Sequence, residues 1–465
     1  MSGWRAAEEL VAEEFIQAEH EGKDRRAIEL LREALGAQPD YTALAATHLA
    51  LLELPVAPEF GFDEPDDLRA IRALRSGPSL RWPAPAAPEL DDRMLGAWLG
   101  RSIGCALGKP VEGWMWPHNG LSSWERQKTY LLGIGPDEWP VRDYFPEHSP
   151  AEAITGEAAC PASTRDHIAF MESDDDIRYT VLGQLVLQKK GADFTSETVA
   201  RMWLTTLPYE FMCTAETQSY RNMVIAGDLL RGPEVDGAPA DVDWSWMATH
   251  LNPYREWIGA QIRVDSYGYA VPGRPGLAAE FAWRDARISH TKNGIYGAML
   301  CAAMIAAAFT AETVDEIVEA GLAEIPATSR LHADLRSVIA ICEAHGRDFA
   351  RFEEVIAAIH EAFGHYDPVH TNNNAAVCVA ALLMSDGDFH DAVTFAVMAG
   401  WDTDCNGATV GSIVGARAGA ARVPELWKGR LNDTLNSLVA GYHPIAISEC
   451  ARRSTDIALD LLDVG

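Results

Sequence analysis

Glycine recurs at every fourth position in two separate segments of this chain, and this spacing constrains the fold more than any other feature. The two series are Gly96, Gly100, Gly104 and Gly108, and Gly407, Gly411, Gly415 and Gly419. Each glycine inside a helix costs roughly 0.5–1 kcal/mol relative to alanine, so packing must offset the loss. Positions four apart lie along one stripe of a helix. The spacing therefore predicts two helices, each with a flat groove in which another backbone packs closely.

The charge balance excludes whole classes of partner. With 38 basic and 68 acidic residues the net charge is -30, which phosphate backbones and anionic lipid would repel. We therefore expect neither a nucleic acid nor a membrane as a partner. The acidic N-terminal segment does not resemble a signal peptide, and the longest apolar run, residues 295–309, is shorter than the ~20 residues that cross a bilayer. Because the eight cysteines form no CxxC pair, we expect a reduced, cytoplasmic protein.

Composition along the chain predicts an N-terminal helical extension joined to a larger helical domain. The extension covers residues 1–81, a Pro-rich linker follows at 82–90, and the main domain covers 91–465. Within the domain, residues 113–166 form a long irregular region rich in tryptophan and proline. A region of this length is typical of a lid or binding surface, although it could equally be an insertion packed by its own aromatic side chains.

Strand signals are few, and hydrophobic periodicity predicts helices in most of the domain. The predicted helices are residues 91–107, 177–189, 198–207, 294–309, 314–319, 331–345, 349–363, 375–383, 389–400 and 408–421. The pattern predicts an all-α fold.

Carboxylates stand at the ends of both glycine series and at the start of a third helix. Glu112 follows the first series, Asp402 and Asp404 precede the second, and Ser173 leads three consecutive aspartates. Helix capping is one interpretation, with Ser173 and Asp404 as N-caps. The other is a metal site, because converging acids repel one another unless a cation neutralises them. Oxygen ligands favour Mg²⁺, Mn²⁺ or Ca²⁺, and several carboxylates can hold two such ions ~3.5–4 Å apart.

Four segments of the sequence resemble the ADP-ribosylglycohydrolase family, which includes the dinitrogenase-reductase-activating glycohydrolases. They are MLGAWLGRSIGCALGKPVEG, MESDDDIRYT, GWDTDCNGATVGSIVGARAGA and SHTKNGIYGAMLCAAMIAAAF, within residues 91–421. The resemblance implies an all-α orthogonal bundle that hydrolyses a glycosidic bond to ADP-ribose with two Mg²⁺ or Mn²⁺ ions. Two residues depart from the family pattern. Cys105 stands where many members have aspartate, and Cys405 replaces a hydroxyl ligand with a thiol, a poor partner for Mg²⁺.

The resemblance also implies roles for individual residues. The implied metal ligands are Ser173, Asp174, Asp175, Asp402, Asp404 and Cys405. The expected catalytic residues are Glu112, Asp175 and Asp404, and the substrate-binding candidates are Glu112, His290, Asn373 and Trp401. For Asn373, helix capping is the alternative to a hydrogen bond with a sugar hydroxyl.

The substrate and the oligomeric state stay open at this point. The leading hypothesis is a metal-dependent hydrolase that cleaves the ribosyl bond of an ADP-ribosylated protein or ADP-ribose conjugate. The alternatives are an N-glycosidase that acts on a small nucleoside or ribosyl metabolite, and a non-catalytic regulatory protein that binds ADP-ribose.

Overall fold

The computed structural model describes residues 6–226 and 242–463, and the regular secondary structure of this part of the chain is almost entirely helical. Residues 1–5 of the predicted extension, and 227–241 and 464–465 of the predicted domain, lie outside it. The α-helices are α1 Ala7–His20, α2 Arg25–Leu35, α3 Tyr41–Glu53, α4 Leu68–Ala73, α5 Ala87–Gly108, α6 Ser123–Ile134, α7 Glu152–Thr155, α8 Asp175–Lys190, α9 Ser196–Thr206, α10 Thr214–Ile225, α11 Trp244–Thr249, α12 Asp265–Tyr269, α13 Pro275–Ala286, α14 Lys292–Ala308, α15 Val314–Leu322, α16 Arg330–Ala344, α17 Phe352–Phe363, α18 Thr371–Ser385, α19 Phe389–Met398, α20 Thr403–Ala418, α21 Glu425–Lys428 and α22 Ile447–Asp463.

Short 3-10 helices and one small sheet complete the described structure. The 3-10 helices are Lys109–Trp114, Pro136–Glu138, Pro161–Ser163, Gly191–Asp193, Tyr209–Phe211, Ile258–Arg263, Phe349–Arg351, Ala420–Arg422 and Gly429–Leu431. The sheet is an antiparallel pair of strands, β1 Thr434–Leu435 and β2 Ile445–Ala446. The all-α prediction is confirmed. None of the described helices is both long and apolar enough to cross a membrane.

The two glycine series pack against each other, so each helix makes the close backbone contact that its spacing predicts. A Cβ atom added at Gly100 would meet the carbonyl of Gly411, and one added at Gly104 would meet the carbonyl of Gly407. Because residue numbers rise along α5 as they fall along α20, the two helices are antiparallel. This arrangement places the C-terminal end of α5 beside the N-terminal end of α20, where Thr403 Oγ1 donates a hydrogen bond to the carbonyl of Gly108 at 2.8 Å.

Two further helices form the centre of the core. Every residue of α18 is buried, and so is every residue of α14 after Lys292. Because α14 is rich in alanine and glycine, its neighbours approach closely. Gly297, for example, faces the side chains of Thr371 and Gln261. The acidic segments lie at the ends of helices that this core holds in place.

The N-terminal extension packs on the domain through its own apolar cluster and through buried ion pairs. Phe15, Leu44 and Leu51 belong to a cluster that also includes Tyr254 of the domain. Beneath it, the Arg255 guanidinium donates hydrogen bonds to Glu14 and Glu21 of the extension; all three residues are buried. These charges fix α1 against the loop that precedes the 3-10 helix Ile258–Arg263.

The structure also corrects the edges of the predicted linker and of the irregular region. Helix α5 begins at Ala87, so residues 87–90 of the linker are its first turn. The irregular region contains α6 and α7, and its Trp114, Tyr130 and Phe145 rings pack against one another. This packing favours the interpretation of an insertion with its own aromatic core. The division into three segments stays a prediction.

Candidate active site and metal centre

The N-terminal end of α20 carries Asp402 and Asp404, and a strained turn positions them. Gly400 and Trp401 both have positive φ angles, of 78° and 57°. A side chain at Gly400 would collide with Ser123, whose Oγ accepts a hydrogen bond from the Trp401 amide at 3.1 Å. The turn therefore needs glycine, and the insertion contacts it directly.

Asn374, which sequence reasoning did not single out, braces the same segment. Its side-chain oxygen accepts hydrogen bonds from the Asp402 amide at 3.2 Å and from Asn406 Nδ2 at 2.8 Å. Its own amide group donates to the backbone carbonyls of Pro368 and His370 at 2.8 Å. Asn374 thus ties the start of α20 to the start of α18. The run of three asparagines was a signal for such a role, but the sequence did not show which of them faces α20.

The capping interpretation of the acids is wrong in its details. The N-cap of α8 is Asp174, which accepts from the Asp176 amide at 3.2 Å, whereas Ser173 Oγ accepts from Arg178. The N-cap of α20 is Asp402 rather than Asp404, and its side chain makes no capping hydrogen bond. The carboxylates of α20 are therefore available for another purpose.

The acidic segments meet in two groups that share Asp404. In the first group, ligand atoms of Cys105, Asp174, Asp176 and Asp404 all lie within 4.8 Å of one another. In the second group, ligand atoms of Asp402, Asp404 and Cys405 do the same. Sequence reasoning did not name Asp176 or Cys105 as ligands, although Asp176 directly follows Asp175 and Cys105 stands where many family members have aspartate. Three segments separated by some 300 residues thus supply one buried cluster.

Two positively charged side chains form ion pairs with aspartates of this cluster. The Lys109 side chain pairs with Asp174 and donates to the Ser173 carbonyl at 3.1 Å. The buried Arg101 guanidinium pairs with Asp176 at 2.9 Å and with Asp265 at 3.0 Å. By contrast, Oδ1 of Asp402 and Oδ1 of Asp404 are buried and have no hydrogen-bond partner.

The electrostatics follow from burial and from these pairings. Burial, and then the neighbouring Asp174 charge, raise the pKa of Asp404 to about 7. Burial and the adjacent Asp404 also raise the pKa of Asp402. Burial alone would raise the pKa of Asp174 too, but the Lys109 ammonium holds it below its usual range.

Glu112 lies where the first segment turns toward the cluster. It belongs to the 3-10 helix Lys109–Trp114 that directly continues α5. The Asp404 charge and then burial raise the pKa of Glu112. A carboxyl group whose pKa is raised is suited to general acid and base chemistry.

Cys405 and Asp175 differ in how they join the cluster. The Cys405 side chain is buried against Ile258, Ile262 and Val369 while its sulfur faces Asp402 and Asp404. Burial and the surrounding aspartates raise the pKa of the Cys405 thiol. Asp175 is in neither group of ligand atoms, but burial and the adjacent Asp174 raise its pKa.

The remaining substrate-binding candidates lie in three different surroundings. Trp401 stacks on His360 with ring centroids 4.0 Å apart, next to the cluster. Asn373 lies in the first turn of α18, donates to the Asp367 carbonyl at 3.1 Å and keeps a buried, unpartnered side-chain oxygen. It does not cap the helix, because the N-cap is His370. His290 hydrogen-bonds to Ser289 at 2.8 Å and faces Glu216, within a separate buried charge network.

The donor set fits a divalent cation. Asp402 and Asp404 present buried carboxylate oxygens without partners, and a hard ion prefers such ligands over amides or imidazoles. Unpaired buried carboxylates are unfavourable unless they are protonated or bind a cation. The arrangement therefore favours a metal at this end of α20.

Comparisons with known proteins give one family match and one likeness to a solved structure. The sequence model of a family described as ADP-ribosylglycohydrolase matches residues 86–454. A solved structure described as an ADP-ribosylglycohydrolase-related protein complex is 18% identical to the chain, with a TM-score of 0.48. The match covers 80% of this chain and 99% of that one. No curated protein shows significant sequence similarity to the chain.

Proposed function

The chain belongs to the ADP-ribosylglycohydrolase family, and on that premise we propose that it is a metal-dependent hydrolase that cleaves the ribosyl glycosidic bond of an ADP-ribosylated protein or ADP-ribose conjugate. One observation carries the proposal. Asp402 and Asp404 direct buried, unpartnered oxygens toward a cluster to which three distant segments contribute. Buried carboxylates are normally paired, and Asp402 and Asp404 have no ion pair with a lysine or arginine in the described part of the chain, which supports a cation-binding role for them.

Asp402, Asp404 and Cys405 would hold a divalent ion, Mg²⁺ or Mn²⁺. When bound, such an ion polarises a ribose oxygen and increases the acidity of a water molecule. Ser173, Asp174 and Asp175 would complete the surroundings from the α8 side. Asp174, Asp402 and Asp404 are buried, whereas Ser173 and Asp175 are half-buried. The low exposure of the three buried acids would strengthen their interaction with developing charge.

Glu112 would handle the proton in this mechanism. Its carboxylate accepts a proton from the attacking water, and its raised pKa allows it to return that proton to the leaving group. Asp175 would orient the ribose hydroxyls from the facing helix. Trp401 offers an aromatic face beside the cluster, and the Asn373 oxygen offers a free acceptor. We assign His290 no contact with substrate, because it lies in the network of Arg263 and Glu216.

A product screen tests the proposal. The enzyme would be incubated with ADP-ribosyl-arginine, ADP-ribosyl-serine, O-acetyl-ADP-ribose and free nucleosides, each with Mg²⁺ or Mn²⁺ and again after chelation. We expect metal-dependent release of ADP-ribose from at least one conjugate, and Asp404→Asn should reduce its rate by about 10³-fold or more. Asp315→Asn, which changes a carboxylate in a surface ion pair with Arg347, is the matched control and should leave the rate unchanged.

Two results would contradict the proposal. Full activity in the chelated enzyme would exclude a metal role. Turnover of nucleosides alone would instead support the N-glycosidase alternative.

A further inference from the structure

Lys109 lies beside the first ligand group and pairs with one of its aspartates. It follows α5 directly, and its side chain is only 11% exposed. The ammonium pairs with Asp174 and donates to the Ser173 carbonyl. Its positive charge also lies near enough to Cys105 and Asp404 to interact with them electrostatically.

The fourth member, Asp176, is already neutralised from the other side. Both Asp176 and Asp265 pair with the buried Arg101 guanidinium, and Arg101 also donates to the Asp176 carbonyl at 2.9 Å. Each aspartate that belongs only to the first group therefore has a cation of the protein as its partner. The remaining member of that group, Cys105, offers a thiol, which is a poor ligand for a hard ion.

The second group differs in this respect. Within the part of the chain that the structure describes, Asp402 and Asp404 form no ion pair with any lysine or arginine. Each of the two keeps a buried oxygen without a hydrogen-bond partner, as Asp176 of the first group also does, so the ion pairs are what distinguish the groups. A cation is therefore missing from the second group but not from the first.

We propose that the Lys109 ammonium takes the place of one metal ion in this chain, so that a single divalent ion binds, at Asp402, Asp404 and Cys405. The inference rests on the proposed metal dependence and revises the expectation of two ions. A divalent ion in the first group would lie next to the ammonium and would have to displace it from Asp174. Lys109 is thus a positioning residue that holds Asp174 through a fixed charge.

Metal counting on the full-length protein tests this inference without reference to turnover. The protein would be freed of metal, saturated with Mn²⁺, desalted and counted by elemental mass spectrometry. Electron paramagnetic resonance would then distinguish an isolated Mn²⁺ ion from an exchange-coupled pair. We expect one ion per chain and an uncoupled signal for the wild type. Lys109→Met removes the cation, and we expect it to bind two ions and to show the coupled signal.

Two control variants make the comparison specific. Lys109→Arg keeps the positive charge and should still bind one ion. Lys128→Met removes a lysine that pairs with Glu353 away from the cluster, and it should also bind one ion. Circular dichroism would confirm that each variant is folded.

The outcomes separate this inference from the proposed function. Two ions in the wild type would overturn the inference even if Lys109→Met fails to fold, and so would one ion in a folded Lys109→Met protein. No bound Mn²⁺ in the wild type would instead overturn the metal dependence on which the proposed function rests.

Discussion

Replacing Gly104 by alanine tests the close contact between α5 and α20. The added Cβ would lie within 3.0 Å of three backbone atoms, the carbonyl carbon and oxygen of Gly407 and the nitrogen of Ala408. Real Cβ atoms essentially never approach other atoms so closely. Because backbone atoms cannot rotate away as a side chain can, the two helices must move apart.

The expected magnitude combines two opposing effects. Alanine improves the helical propensity of α5 by about 1 kcal/mol at most. Overpacking of a core costs about 1–3 kcal/mol, and the rigid backbone on both sides places this site at the upper end. We therefore expect a net loss of about 2 kcal/mol in the free energy of unfolding. An isolated or loosely packed helix would instead gain stability from the same change. The sign of the change in the free energy of unfolding therefore distinguishes close packing from loose packing.

Urea denaturation is the better assay for this variant. A chain of 465 residues unfolds with an entropy of about 1 kcal/mol per kelvin, so 2 kcal/mol shifts Tm by only about 2 °C. Gly113→Ala is the control, because a Cβ at Gly113 has nothing within 4 Å. It should be neutral or slightly stabilising. A Gly104→Ala protein as stable as the wild type, with an unchanged m value, would refute the reasoning.

Two further predictions concern the metal site. Because burial and Asp174 raise the pKa of Asp404 to about 7, Mn²⁺ must displace its proton below that pH, and its affinity should rise about tenfold per pH unit up to pH 7. By the same linkage, the metal-free protein should lose stability as pH rises from about 4 through 7, because the folded state holds a proton on Asp404 that the unfolded state has lost. Asp404→Asn should reduce this slope without removing it, since burial also raises the pKa of Asp402 and Asp175. Calorimetry would show the change in Mn²⁺ affinity and melting curves at stepped pH the change in stability, and a flat profile in the wild type would contradict both. Cys405→Thr should keep activity and move the relative affinity several-fold from Mn²⁺ toward Mg²⁺, because a hydroxyl is a harder ligand than a thiol. An unchanged Mg²⁺/Mn²⁺ ratio would show that the Cys405 sulfur does not bind the ion.

The packing of α5 against α20 could be predicted because it depends on local spacing alone. Glycine at every fourth position predicts a groove along a helix, and only two segments of the chain have this spacing. The acids of α8 and α20 could be placed for a similar reason, since each stands at a helix terminus that the sequence marks.

The sequence does not predict some other helices, because glycine and proline occur in loops and also within helices or at their first turn. The segment around Gly268 and Gly276 reads as a loop, yet it contains α12 and the start of α13. These glycines give room to Ile305 and Ser79 from distant parts of the chain, and only Gly273 has a positive φ. Helix α6, by contrast, begins with a Ser122–Glu125 capping box that the sequence does show.

The pairings within the site could not be read from the sequence. Arg101 and Asp176 are 75 residues apart, and Lys109 is 65 residues from Asp174. No local sequence pattern indicates which acid of a cluster forms an ion pair with a lysine or arginine and which acid does not. That distinction decides where a metal can bind, and it required the three-dimensional arrangement.

The buried ion pairs of the extension also affect the order in which this protein is made. Glu14 precedes its partner Arg255 by 241 residues, and Gln17 precedes its partner Glu256 by 239. At a synthesis rate of about 5–20 residues per second, α1 emerges from the ribosome roughly 12–50 seconds before the residues that neutralise and cover it. During that interval its acids must stay hydrated, and its apolar face has only the apolar residues of α2 and α3 to pack on. A nascent chain that stalls before residue 255 would therefore expose this helix to chaperones and proteases.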